Sequence, residues 1–278
     1  MKLKKLSSML LASAMVISLA ACGSGDSGND GKEESGAGED TAAEAITSIE
    51  QLEGKTIGVQ TGTTGDIYVT DEFGEDSVER YNKGFEAVQA LQQGKIDAVI
   101  IDNEPAQVFV SENEGLKILD EAYTEEEYAI AVSKDNTELT QKLNEALAAL
   151  KEDGTFDAIF DYYISGEGEA YAIDESVERD GQLVMATNAE FPPYEFHDTV
   201  DGEDAIMGVD ADVARAICDY LGTELVIEDM SFDSIITAVQ SGKADVGFAG
   251  MTVTEDRLKS VDFSDTYCTA RQVVIVKE

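Results

Sequence analysis

Basic side chains are scarce in this chain: 19 lysines and arginines stand against 58 aspartates and glutamates, a formal charge of −39 at pH 7. That balance argues against nucleic acid and anionic membrane surfaces as partners, because their phosphates would be repelled. It fits a solvated extracellular surface. Histidine occurs once, as His197, and cysteine three times, as Cys22, Cys218 and Cys268. With no clustered Cys/His/Asp spacing, neither a transition-metal site nor any cofactor is expected. Asp201, Asp204, Asp210 and Asp212 are dense enough to suggest calcium, but the register of an EF-hand loop is missing, so a solvated loop and helix start is the expectation. Cys218 and Cys268 could pair in an exported protein, although nothing in their spacing demands it. Cys218 lies on the apolar stripe of Val213, Ile217 and Leu221, where a small core residue is expected.

Long apolar runs are lacking too. The run at residues 9–21 falls short of the ~20 residues a membrane span needs. It follows Lys2, Lys4 and Lys5 and ends Leu19-Ala20-Ala21-Cys22. A charged segment, an apolar segment and a small-residue cleavage site make a signal peptide over residues 1–21. A cysteine directly after it resembles the bacterial lipobox, with Cys22 lipidated and the chain anchored to the outer face of the cell membrane. Residues 22–46 are Gly-, Ser-, Asp- and Glu-rich, with little to bury, and read as a flexible tether.

Beyond the tether, short apolar runs alternate with amphipathic patterns, which predicts an α/β fold with largely parallel sheets. Strands are expected at residues 56–60, 98–101, 183–186, 224–227 and 246–249, and helices at 85–93, 137–152, 211–221 and 232–241. In the helix at 137–152, Leu139, Leu143, Leu147 and Leu150 share one face and Gly154 is the stop. Gly94, Gly222 and Gly242 sit where left-handed caps are wanted. Ala87-Val88-Gln89 with Gly94-Lys95-Ile96-Asp97 is echoed by Ala238-Val239-Gln240 with Gly242-Lys243-Ala244-Asp245. Asp102 and Gly250 each lie five residues past the aspartate of their echo. Two lobes on one plan would thus each present a loop at the carboxyl end of an equivalent strand, where open α/β sheets bind ligands.

Three stretches carry a specific resemblance: Gly54-Lys55-Thr56-Ile57-Gly58-Val59-Gln60-Thr61-Gly62-Thr63-Thr64-Gly65, Leu183-Val184-Met185-Ala186-Thr187-Asn188-Ala189-Glu190-Phe191-Pro192-Pro193-Tyr194, and Gly250-Met251-Thr252-Val253-Thr254-Glu255-Asp256-Arg257. The chain resembles the polar amino-acid solute-binding proteins of ABC importers (extracellular solute-binding protein family 3) from about Ile46 to Glu278, but in that family the last two stretches come first. The resemblance implies a two-lobed periplasmic-binding-protein-like fold of type II, circularly permuted, with the ligand cleft between lobes. Residues 47–127 would form the continuous lobe and 128–278 the other, with 165–181 joining the family's former ends. Residues 128–132 and 272–276 would be hinge strands, and only the first would still link the lobes covalently. Fusion of two broken paralogues is the rival explanation.

A free amino acid presents a carboxylate and an ammonium, and a specific site must answer each. The family places the arginine of Thr-x-x-Arg, here Arg257, on the carboxylate, which guanidinium can fork. Thr64 and the N–H groups of residues 62–65 would approach from the opposite lobe. Asp102 is the ammonium candidate, though it could instead cap the turn that follows, and Gly250 and Thr252 would complete that contact. Phe191 and Phe232 would wall the ligand side chain, leaving Asn188, Glu190 and Gln60 for its far end. Asn188 departs from the aspartate frequent in binders of basic amino acids; Glu190 could partly restore that charge. The resemblance implies no enzyme but a monomeric, lipid-anchored protein that hands a polar amino acid to an ABC permease. A sensing partner of a receptor and a dehydratase on the same fold are the alternatives.

Overall fold

A computed structural model gives residues 45–200 and 202–278. The expected signal peptide, the lipidation candidate Cys22, the expected tether through residue 44, and Asp201 lie outside these described residues. Ile46, expected at the end of the tether, is instead buried with Leu52 and Ile57.

The first lobe runs β1 (Ile57–Gln60), α1 (Thr64–Phe73), β2 (Val78–Tyr81), α2 (Gly84–Gln92), β3 (Ala98–Asp102), α3 (Asn103–Glu112), β4 (Leu116–Ile118) and β5 (Thr124–Tyr128). Then follow β6 (Ala131–Val132), α4 (Thr137–Asp153), α5 (Thr155–Phe160), β7 (Gln182–Thr187), β8 (Glu190–Phe191), β9 (Glu195–Val200), β10 (Glu203–Met207), α6 (Val209–Leu221), β11 (Glu224–Asp229), α7 (Ile235–Gln240), β12 (Val246–Gly247), α8 (Arg257–Ser260), β13 (Asp262–Phe263) and β14 (Cys268–Lys277). The expected strands and helices recur within a few residues, except that residues 232–241 divide into a 3₁₀ turn at Phe232–Ser234 and α7. The alternation with Leu143, Leu147 and Leu150 buries one face of α4, and Gly154 ends it at φ 84°. Gly94, Gly222 and Gly242 likewise take positive φ, which costs glycine no Cβ clash.

Two sheets share one strand order. One runs β2-β1-β3-β14-β4 and the other β11-β7-β12-β6-β13. In each, three parallel strands are followed by one antiparallel strand that comes from elsewhere in the chain. The sequence echo around Asp97 and Asp245 is therefore a structural repeat. Asp97 Oδ2 accepts the Thr56 N–H at 2.9 Å, and Asp245 Oδ2 accepts the Val184 N–H at 2.7 Å, the same bond in both lobes.

The last strand, expected as a hinge strand crossing back toward the first lobe, enters that lobe's sheet, pairing with β3 through Gln272–Ile275 and with β4 through Ile275–Lys277. Its hinge ladder runs against β5, from Cys268↔Tyr128 to Gln272↔Thr124, and so meets the expected partner segment 128–132 only at Tyr128. Two covalent crossings therefore join the lobes, β5 to β6 and β13 to β14, not one. Residues 165–181 are also more than a spacer. Asp219 on α6 accepts the Tyr171 O–H at 2.8 Å and the Asp174 N–H at 2.7 Å and pairs with Arg179.

A small antiparallel sheet, β8-β9-β10, has no counterpart among the expected strands. Where it meets α6, Gly208 takes φ 122° and a Cβ there would stand 2.2 Å from the Tyr194 carbonyl oxygen, so glycine is required. Cys218 and Cys268 are free thiols.

Candidate ligand-binding site

The carboxyl ends of the parallel strands in both lobes face a common, tightly closed cleft. Gln60 ends β1, Asp102 ends β3, Asn188 follows β7, and Gly250 and Thr252 follow β12. With Thr64, Phe191, Phe232 and Arg257 they line one space. Nine of the ten residues singled out in the sequence are thus brought together. The tenth, Glu190, is not: it pairs with Lys83 of the other lobe and faces a separate surface hollow lined by Phe85, Pro192 and His197.

Arg257 is 7% exposed, at the start of α8. Its Nη1 donates to the Thr252 carbonyl at 2.8 Å and Nη2 to the Gly62 carbonyl of the opposite lobe at 3.1 Å. The Phe232 ring lies 5.4 Å from the guanidinium carbon, a cation–π contact that also fixes the plane of the fork. Burial draws the Arg257 pKa down, opposed by the charges of Glu126 and Asp102.

Opposite stands the N-terminus of α1. Thr63 caps it, accepting the Asp66 N–H at 3.3 Å. The Gly62 N–H, expected to be open to a ligand, is already donated to Asp66 Oδ2 at 3.0 Å. Thr64 remains, 3% exposed, where unsatisfied N–H groups and the helix dipole favour an anion.

Asp102 occupies the N-cap position of α3 but makes no side-chain cap bond. It accepts instead from the Tyr128 hydroxyl, which turns the carboxyl toward the cleft. Burial, reinforced by the charge of Glu126, pushes its pKa up to about 7. Glu126 itself holds the Thr252 hydroxyl at 2.9 Å and Gln272 Nε2 at 3.1 Å, while Gln272 Nε2 also reaches Thr64 Oγ1 at 3.3 Å. Sequence reasoning missed this layer, because Glu126 in Thr-Glu-Glu-Glu-Tyr reads as one more surface acid. Only the alternation of β5, which turns Glu126 and Tyr128 inward together, gives it away.

The lobes also touch directly. Gln60 Nε2 donates to Asn188 Oδ1 at 2.7 Å, and Asn188 Nδ2 to the Met230 carbonyl at 2.9 Å. Asn188 uses its Oδ1 and one of its two Nδ2 hydrogens in these bonds, and supplies no charge. A further correction concerns the aspartates at the α6 start. Asp210 and Asp212 are buried rather than solvated: Asp210 accepts from Gly250 N–H at 2.7 Å, and Asp212 pairs with Arg215 at 2.5 Å. Among the described residues no acidic, His or Cys group is placed to hold a metal ion, and no helix is long and apolar enough to cross a membrane.

Two strand-exchanged α/β lobes closing on a cleft with a buried arginine, a helix N-terminus and a buried aspartate define a ligand-binding protein of the type II periplasmic-binding-protein fold. Residues 76–166 and 183–278 match the bacterial extracellular solute-binding proteins, family 3, and the chain belongs to that family, one of binding proteins rather than enzymes. It is 39% identical over 97 residues to the arginine-binding extracellular protein ArtP of Bacillus subtilis, covering 35% of this chain and 36% of that protein. It is 38% identical over 119 residues to the putative ABC transporter arginine-binding protein 2 of Escherichia coli, covering 41% and 49%. The chain thus spans about a third to a half of the length of these relatives. A solved amino acid ABC transporter substrate-binding protein of Streptococcus pneumoniae bound to L-arginine is 46% identical over 28% of this chain and 33% of its own, with a TM-score of 0.28.

Proposed function

We propose that this protein captures a polar amino acid and delivers it to an ABC permease, held on the outer face of the membrane through a lipidated Cys22. One observation carries the ligand class: Arg257 and Asp102, each 7% exposed, face one closed cleft from different lobes. A zwitterion answers both, its carboxylate between Arg257 and the start of α1, its ammonium at Asp102, the Gly250 carbonyl and Thr252. Phe191 and Phe232 flank the side chain, and the Gln60–Asn188 pair meets its polar end. That pair favours arginine-like or glutamine-like ligands over aliphatic ones, which would leave both amides facing an apolar group. Binding partners on both lobes stabilises the closed form.

The order of segments is read as a circular permutation, supported by the two separate stretches that match the family and by the packing of residues 171–179 on α6 between them. Thermal-shift screening of the twenty amino acids with ornithine, citrulline and cystine tests the reading. A ligand at a hundred times its dissociation constant adds roughly 2.7 kcal/mol. A screen in which none of them stabilises the protein refutes it.

A further inference from the structure

The rear wall of the cleft holds an acid that the reading above leaves without a role. Glu195, on β9, is 1% exposed and lines the cleft beside Asp102 and Gly250. Among the described residues its Oε2 has no hydrogen-bond partner. Behind it stands Asp210 of α6, wholly buried and within hydrogen-bonding reach of the Glu195 carboxyl. Asp210 is surrounded by donors: the Gly250 N–H at 2.7 Å, and the Tyr267 hydroxyl at 2.9 and 3.0 Å from its two oxygens.

The groups bearing on Glu195 from neighbouring elements add no positive charge. They are Asp102 at the end of β3, Asp229 of β11, Asp210 of α6 and the Tyr267 phenol before β14. Two carboxyls in contact away from water cannot both be ionised. The donors gathered on Asp210 select it as the charged partner, and the proton falls to Glu195, which donates it to Asp210. Burial and the Asp210 charge accordingly hold the Glu195 carboxyl well above the usual range.

We propose that Glu195 and Asp210 share one proton at the back of the cleft, and that the ammonium of a bound amino acid displaces it to solvent. The exchange balances at the acids: the ammonium brings them one positive charge and one leaves as a proton taken up by buffer, while the ligand carboxylate is answered separately by Arg257, and no bond between heavy atoms changes. The acid cluster therefore gains no net charge, and the unpartnered Oε2 acquires a donor. This step rests on the amino-acid reading above, and its failure is separable from failure of that reading.

Calorimetry of the full chain with L-arginine and L-glutamine, in buffers of different ionisation enthalpy, measures the protons released. Above about pH 8, where Asp102 is already ionised, the expected count is about one per ligand, with affinity rising by up to about tenfold per pH unit where release is complete. Glu195→Gln keeps the shape and an N–H toward Asp210, and is expected to release about one proton fewer per ligand than the wild type, and none above about pH 8, where Asp102 is already ionised. Infrared spectra of the ligand-free protein provide a reading that needs no ligand: a protonated-carboxyl band present in the wild type and lost in Glu195→Gln. Binding with buffer-independent heat, or an unchanged proton count in Glu195→Gln, overturns the shared proton while leaving amino-acid capture intact. If neither amino acid binds, capture of these two fails, and the shared proton stands or falls on the infrared band.

Discussion

Replacing Ile275 with alanine tests whether the last strand is a structural member of the first lobe. Ile275 has no exposed surface; it is opposed by Val99 of β3 on one side and Ile118 of β4 on the other. The mixed sheet is packed on both faces, with Val273 and Ile275 in one apolar cluster and Val274 and Val276 in another, so the hole left by truncation cannot close easily. Losing an isoleucine there costs about 2–5 kcal/mol, which at 2–4 °C per kcal/mol for a chain of this size is a fall in Tm of roughly 4–20 °C. Removal of residues 271–278 extracts Val273, Val274, Ile275 and Val276, all buried. At ~1.5–3 kcal/mol each this is roughly 6–12 kcal/mol, as large as the ~5–15 kcal/mol that holds a typical domain together. That truncation is expected to prevent folding rather than merely loosen the hinge. Urea and thermal unfolding followed by circular dichroism measure both. A cost below about 1 kcal/mol for Ile275→Ala, or a truncated chain that folds, refutes the central placement of the strand.

Arg257→Ala and Asp102→Ala each strand an ionic ligand group in a closed cleft, so each is expected to cost on the order of 2–5 kcal/mol of affinity; near-normal affinity by calorimetry would sink either role. Lys83→Ala removes the ion pair with Glu190 across the lobes, whose side chains are 39% and 25% exposed. Screening holds its worth to about 1 kcal/mol or less, and a larger drop in affinity would mean that Glu190 touches the ligand after all. Gly208→Ala forces a Cβ against the Tyr194 carbonyl and should cost more than ~2 kcal/mol; unfolding curves like those of the wild type would contradict the contact. Asp102 is pushed up to about 7, against about 3.9 in an unfolded chain. The folded state then holds more protons between those values, so this group makes the ligand-free protein less stable as pH rises from about 4 to 7. Asp102→Asn should flatten part of that slope in urea midpoints, and an unaltered slope would disprove the shift.

The elements were legible where one periodicity ruled: the leucines of α4, the helix–glycine–strand echo, and the aspartates that close each echo. The cleft was legible because its residues sit at strand ends, where direction is fixed by the sheet. What escaped the sequence depended on pairing across long separations. Nothing local in Cys-Thr-Ala-Arg-Gln-Val-Val-Ile-Val-Lys says that the strand leaves its own lobe, and nothing in Tyr-Glu-Phe marks Glu195 as buried against an acid fifteen positions later. Glu190 was misplaced for a related reason: β8 is only two residues long, and Phe191 takes the inward side.

The ladder between β5 and β14 means that both crossings leave the first lobe side by side, as a narrow two-stranded ribbon. Such a ribbon twists about its own length far more readily than its strands slide past each other, since sliding would shift the register of every bond from Cys268↔Tyr128 to Gln272↔Thr124 at once. Opening is thereby channelled into a single rotational coordinate. A spin-label pair straddling the cleft should accordingly report one correlated distance change rather than a cloud of independent ones.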